Sequence, residues 1–298
     1  MVGMAIQRLQ YYLAEHPAIV NFRWSHIHSW GSTWLFLFSS IGIYLASALL
    51  LSLVLIKRRR PVPLGLLPAL HSLAIAVVSA AIFIGISLST VAEIRDTRWL
   101  WRRSKTPIQW LLCFPLGTRP SGRVFFWSYM FYISRFLLPL RTFFSILRRR
   151  PLTFFRLFHC SILIFMSFLW LEFSQSFQVV AILSTTLIYS IMYGYRFWTS
   201  VGWPVSCFPV VVNCQILLLG CYLAAHIGVL LLHFRKEGCN GIGAWVFNSF
   251  LNGTLLLLFL NFYIRKHLKG SRMVEDDDHP SPSSNNGESC ELEGKKES

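Results

Sequence analysis

The chain has 298 residues, 54% of them hydrophobic and 14% charged, with a formal net charge of +15. Soluble domains carry nearer 25% charged residues, so an ordinary water-soluble fold is excluded at the outset. The basic balance invites a nucleic-acid reading, but the bases sit in loops between apolar runs. A rim facing anionic headgroups explains them more economically, and no nucleic-acid partner is expected.

Residues 1–32 are aromatic and mildly charged, with Trp24 and Trp30, followed by Trp34, placed to sit at a headgroup boundary. They lack a compact apolar core ahead of a small-residue cleavage site, so the first span is expected to be its own targeting signal. Apolar runs then recur at the length needed to cross about 30 Å of hydrocarbon. They lie near Thr33–Ile56, Leu67–Val91, Val124–Leu140, Leu152–Leu171, Phe177–Tyr195, Pro209–His233 and Ile242–Ile264. The third carries Arg135 and Pro139. The expected fold is an all-α integral membrane bundle of about seven transmembrane helices, with six as the fallback, over residues 33–270. Residues 271–298 are polar and Pro/Ser/Asn-rich, cannot build a core, and are expected to be a disordered tail.

That tail holds eight of the 13 acids and three of the 28 bases, leaving 25 bases against five acids in residues 1–270. With alternating spans, the side carrying Lys57–Arg60, Arg148–Arg150 and the C-terminal bases is richer in positive charge, which favours a cytosolic C-terminus. The ending Lys295-Lys296-Glu297-Ser298 resembles the dilysine signal that retrieves membrane proteins to the endoplasmic reticulum from the cytosolic side. The seven cysteines show no C-x-x-C pair and no zinc spacing. They read as small hydrophobes, Cys160 alone being considered further.

The chemistry available in the spans is narrow. Between Asp96 and Glu237 the only acid is Glu172, which excludes paired-carboxylate work and a carboxylate-bridged metal centre. The nine histidines are scattered, so a histidine-clustered di-iron site fails too, and no metal is expected. Arg156, His159 and Cys160 stand at i, i+3 and i+4, on one helical face. An imidazole there can move protons or carry an acyl group, or it can be a buried histidine bonded to a neighbour. Asn213 and Gln215 need polar partners at membrane depth, which suggests a wet or ligand-filled cavity near them.

The segment PLTFFRLFHCSILIF resembles the histidine-box region of the ELO family of fatty-acid elongases, where H-x-x-H-H follows L-T-F-L. The box positions read Arg156, His159 and Cys160. Upstream, FFWSYMFYISRFLLPLRTFF is similar in frame to F-W-x-Y-x-F-Y-x-S-K-x-x-E-x-x-D-T, with Arg135 at the lysine, Leu138 at the glutamate, Arg141 at the aspartate and Thr142 kept. Downstream, H-x-x-M-Y-x-Y-Y reads Tyr189, Met192, Tyr193, Tyr195 and Arg196, and T-x-x-Q-x-x-Q reads Val212, Gln215 and Leu218. Spacing is unbroken while most ionisable groups differ.

The resemblance implies an acyl-chain tunnel within the bundle and condensation of a long-chain acyl-CoA with malonyl-CoA to a 3-oxoacyl-CoA, CoA and CO2. By that resemblance His159, Tyr189 and Tyr193 would be catalytic, with Arg135, Arg141, Arg156, Asn213 and Gln215 binding substrate. No cofactor is implied beyond the two CoA substrates. Implied partners are membrane lipid, the reductase and dehydratase subunits of an elongase complex, and a second copy as a homodimer. Two alternatives stay open at this point. One is a non-catalytic paralogue that binds acyl-CoA or regulates elongation and the sphingolipid pathway. The other is a seven-span receptor or transporter, which predicts no convergence of these side chains.

Overall fold

The structure is a computed structural model and describes residues 10–57, 62–100, 111–150, 152–202, 207–235 and 238–276, with residues 4, 7 and 8. After a π turn at Tyr11–Glu15 and a short helical turn at Pro17–Val20, the helices are α1 (Trp34–Lys57), α2 (Leu67–Leu100), α3 (Arg123–Arg135), α4 (Leu138–Leu147), α5 (Phe154–Glu172), α6 (Gln178–Ser200), α7 (Cys207–Arg235) and α8 (Ile242–Asp276). Among the described residues six segments are long and apolar enough to cross a membrane, with α3 and α4 together forming one of them. The expected seventh is a helix as well, but its apolar stretch, Ile242–Leu258, is shorter than the other six. α8 also runs to Asp276, beyond the boundary expected at residue 270; no proline interrupts it before Pro280. The remaining tail and its Lys295-Lys296 lie outside the described residues.

The break in the third span has a local cause. Pro139 has no N–H to bond the carbonyl of Arg135, so α3 stops there and α4 restarts at Leu138. His71 of α2 bonds the Leu137 carbonyl across the break, Nε2 to O at 2.9 Å. The interruption is thus tied to a neighbouring helix and does not abolish the span.

The most extensive pairing is α2 with α6, followed by α2 with α3 and α6 with α7. Gly85 of α2 makes the α2–α3 approach possible, since a Cβ there would lie 2.2 Å from the indole of Trp127. Two apolar clusters fill the bundle. The larger runs through Trp127, Phe131, Phe168, Trp170 and Phe177, and the smaller joins Tyr44, Leu138, Cys160, Tyr189 and Tyr193.

One end of the bundle gathers the N-terminal segment, the 111–122 loop, the 173–177 turn and the 238–241 turn. Trp24 N–H bonds the Pro120 carbonyl at 2.9 Å, and its indole Nε1 donates to Glu172 Oε2 at 3.0 Å. The aromatic N-terminus is therefore packed against α3 and α5, with Tyr132 donating to the Gly31 carbonyl at 2.8 Å. Cys113 and Cys239 form a disulfide at this same end, a pairing that contradicts the expectation that both are simple packing residues. Both lie in loops, so nothing local in the sequence marks them as neighbours.

Candidate functional site

The site is built at the opposite end, where α1, α3, α4, α5 and α6 meet. Arg135 closes α3 and is buried at 1% exposure. Its Nε and Nη2 donate to Ser134 Oγ at 3.3 and 3.1 Å. The guanidinium lies 4.0 Å from the Phe131 ring centroid and 5.0 Å from that of Tyr189. Tyr189 and Tyr193, one turn apart on α6, are both buried with ring centroids 5.5 Å apart. Arg141 is exposed at the rim, its guanidinium 5.9 Å from the Tyr193 ring, and Arg196 approaches the same ring at 5.5 Å.

His159 is half-buried on α5, its ring 5.7 Å from that of Phe155. Arg141 and Arg135 are its charged neighbours. Cys160, the next residue, points elsewhere. Its sulfur lies 3.9 Å from Thr142 Oγ1, which in turn accepts a hydrogen bond from the Tyr44 hydroxyl at 3.1 Å. α1 thereby contributes a side chain to the site through Tyr44. Arg156 is half-buried one turn earlier, with Nη1 buried and without a hydrogen-bond partner among the described residues.

The structure therefore brings Arg135, Arg141, Arg156, His159, Tyr189 and Tyr193 to one end of the bundle. It does not bring Asn213, which is exposed on α7; Gln215 is half-buried on the same helix. A wet internal cavity around Asn213 is not what the fold provides, because that side chain faces outward. α7 is apolar on nearly every face, so its register against the bundle could not be read from periodicity.

A second polar cluster lies at the disulfide end and escaped the sequence reading. Gln175, Gln178 and Asn248 are all fully buried, and Asn248 Nδ2 donates to Gln175 Oε1. His226 stacks on Phe177 at 4.4 Å and bonds Ser249 Oγ through Nδ1 at 3.1 Å. Phe177 itself holds φ at +87°, a costly backbone for a non-glycine residue. Gly241 meets the same turn so closely that a Cβ would lie 2.8 Å from Gln175 Cα and Phe173 O. Gln175 and Gln178 lie at a span boundary, where polar residues are ordinary, and Asn248 and His226 stand singly inside two other helices, so nothing in the sequence joins them. Among the described residues no three His, Cys, Asp or Glu side chains come together as a metal site.

The family model of the ELO (GNS1/SUR4) family matches residues 29–275, which is most of the chain and all of the bundle. The chain belongs to the ELO family. It is 63% identical over 268 residues to the Arabidopsis thaliana protein "Fatty acid elongase 3-like", covering 88% of this chain and 93% of that one. It is 26% identical over 223 residues to Dictyostelium discoideum "Fatty acid elongase A", covering 73% and 78%. To Mus musculus "Very long chain fatty acid elongase 3" it is 31% identical over 162 residues, covering 53% and 59%. The resemblance read from the box and its flanking motifs is thus confirmed for this multi-pass, ELO-family membrane chain.

Proposed function

We propose that this chain is a fatty-acid elongase that condenses a long-chain acyl-CoA with malonyl-CoA in very-long-chain fatty-acid synthesis. The observation that carries the reading is the meeting of His159, Tyr189, Tyr193 and Arg135 at one end of an ELO-family bundle, beneath the Arg141 and Arg156 side chains. In the reaction the malonyl C–C bond to its carboxylate breaks and CO2 departs. The electron pair attacks the acyl carbonyl, the acyl C–S bond breaks, and the CoA thiolate takes up a proton. His159 supplies that proton or carries the acyl group. The Tyr189 and Tyr193 hydroxyls orient the thioester oxygen, with Gln215 assisting from α7. Arg141 and Arg156 meet the CoA phosphates at the rim. The two CoA compounds are substrates, and no resident cofactor is required. The reductase and dehydratase that process a 3-oxoacyl-CoA are the natural partners, and a homodimer suits the exposed apolar helix faces.

The place of action is the endoplasmic-reticulum membrane. Disulfides persist on the oxidising side of that membrane, so the Cys113–Cys239 end belongs in the lumen. The site end and the C-terminal end of α8 then face the cytosol, where CoA substrates are found.

The test is malonyl-dependent elongation in microsomes that lack their own elongases. The wild-type chain extends long-chain acyl-CoA, and His159→Ala lowers the rate by about 10²-fold or more. An unchanged rate in His159→Ala would remove that residue from the chemistry. Acyl-CoA binding without any turnover would make the chain the non-catalytic binder instead.

A further inference from the structure

Among the described residues, Arg135 is the most deeply buried cation, and it has no counter-ion. Arg135 is 1% exposed, and among the described residues no carboxylate lies within ion-pair distance of it. One Ser134 hydroxyl accepts from two of its nitrogens, while Nη1 is buried with no hydrogen-bond partner. Glu172 is the only acid between Asp96 and Glu237, and Glu93 of α2 has Arg123 and Asp96 as its charged neighbours, at the far end of α3 from Arg135. Glu172 is engaged at the other end by Trp24 and His26, and Asp96 by Arg123. Contacts with the Phe131 and Tyr189 rings offset part of the cost of burying the charge. A guanidinium taken out of water is costly unless it is paired and fully hydrogen-bonded.

We propose that Arg135 is the receptor for a carboxylate carried in by a bound substrate. The inference rests on the elongase reading for its substrates but not for its physics. A CoA phosphate is the wrong anion for this position, because it belongs to a large hydrated nucleotide that stays at the rim with Arg141. A carboxylate is small, planar and matched to the guanidinium fork. It has two sources at this depth. One is the malonyl group of malonyl-CoA, presented beside Tyr189 and Tyr193. The other is the head of a free fatty acid whose chain lies in the bundle. In the malonyl case the negative charge is not lost when CO2 leaves. It moves to the enolate oxygen of the thioester, still facing Arg135, so one cation serves before and after the bond breaks.

The experiment uses the full chain, purified in detergent, and two matched ligand pairs. Malonyl-CoA is set against butyryl-CoA, and palmitate against hexadecanol, so that each pair differs chiefly in the carboxylate. Apparent affinities come from the ligand-dependent rise in unfolding midpoint. The wild-type chain is expected to favour the carboxylate member of one pair by about tenfold or more, the effect of one buried charge-assisted hydrogen bond. The pair that shows the preference names the source. Arg135→Met abolishes it without weakening the uncharged member, and Arg135→Lys retains part of it. Because the substitution removes an unpaired buried charge, ligand-free Arg135→Met is expected to unfold no earlier than wild type, which separates lost binding from lost folding. Equal affinity within both pairs, or a preference that survives in Arg135→Met, overturns the proposal. Elongation measured on the same wild-type preparation is a separate readout. Its absence beside an intact carboxylate preference would sink the elongase reading and leave the receptor standing.

Discussion

Replacing Cys113 by Ser tests the fold and its orientation together. The disulfide joins residues 126 apart, and in a freely unfolding chain a loop of that length is worth about 5 kcal/mol. Here the intervening spans stay inserted when the bundle loosens, so most of that entropy is never released and the measured loss should be a fraction of the figure. The loss should concentrate at the disulfide end, where the 111–122 loop and the 238–241 turn hold the α6–α7–α8 packing. The assay keeps Cys113, Cys239 and Cys290, changes the other cysteines to Ser, and treats sealed microsomes with a membrane-impermeant maleimide. Cys290, in the tail, is expected to label at once. Cys113 and Cys239 are expected to stay protected until the vesicles are both opened and reduced, and Cys113→Ser is expected to lower the unfolding midpoint. Labelling of Cys113 in sealed, unreduced vesicles would refute the pairing and the orientation together.

Gly85→Ala forces a methyl into the Trp127 indole, at 2.2 Å before relaxation, and overpacking of this kind costs about 1–3 kcal/mol. It should appear as a lower unfolding midpoint in detergent, and an unchanged midpoint would disprove the close α2–α3 approach. Cys160→Ser should keep elongation activity, because the thiol faces Thr142 and Tyr44 rather than His159; loss comparable to that of His159→Ala would make the sulfur the acyl carrier. Asn248→Leu removes the buried partner of Gln175 and leaves that amide unpaired, at a cost of about 1–3 kcal/mol, read as a lower midpoint with the disulfide intact.

What could be read from the sequence followed from which forces act locally. The spans were legible because hydrocarbon thickness imposes a run length that composition cannot disguise. Pro139 was noted inside the run expected as the third span, and its missing N–H accounts for the helix break found there. Helical spacing put Tyr189 and Tyr193 one turn apart, whereas their meeting with His159 and Arg135, on two other helices, was expected only from the family resemblance. The seventh span was expected longer than its apolar stretch proves and α8 outruns its expected end, while the other losses were matters of register between elements. Asn213 was expected inward and lies exposed on α7, whose apolar surface gives no preferred face. Cys113 and Cys239 meet only because the two loops are brought together by the helices that flank them. Trp24 read as a headgroup anchor, yet its indole is bonded to Glu172; the same amphipathic ring suits a bilayer surface and a protein one.

The departures from the family frame share one electrostatic direction. By resemblance a glutamate and an aspartate belong at the positions of Leu138 and Arg141. Here the first is a buried apolar residue in the Tyr189–Tyr193 cluster and the second an exposed cation. A box histidine has become Arg156, and the lysine has become Arg135, which is never deprotonated at physiological pH. Each change removes a negative or titratable group from the site end or adds a fixed positive one. An enzyme whose internal acids balanced its cations would hold its site neutral before substrate arrived. This chain cannot, because no described carboxylate reaches Arg135. If Arg135 is the proposed carboxylate receptor, the site is electrostatically complete only when an anion is bound, and both proposed substrates are anions. The substitutions that thin out the proton-transferring groups therefore also tie the site more tightly to its substrates, and that coupling is what the Arg135 variants measure.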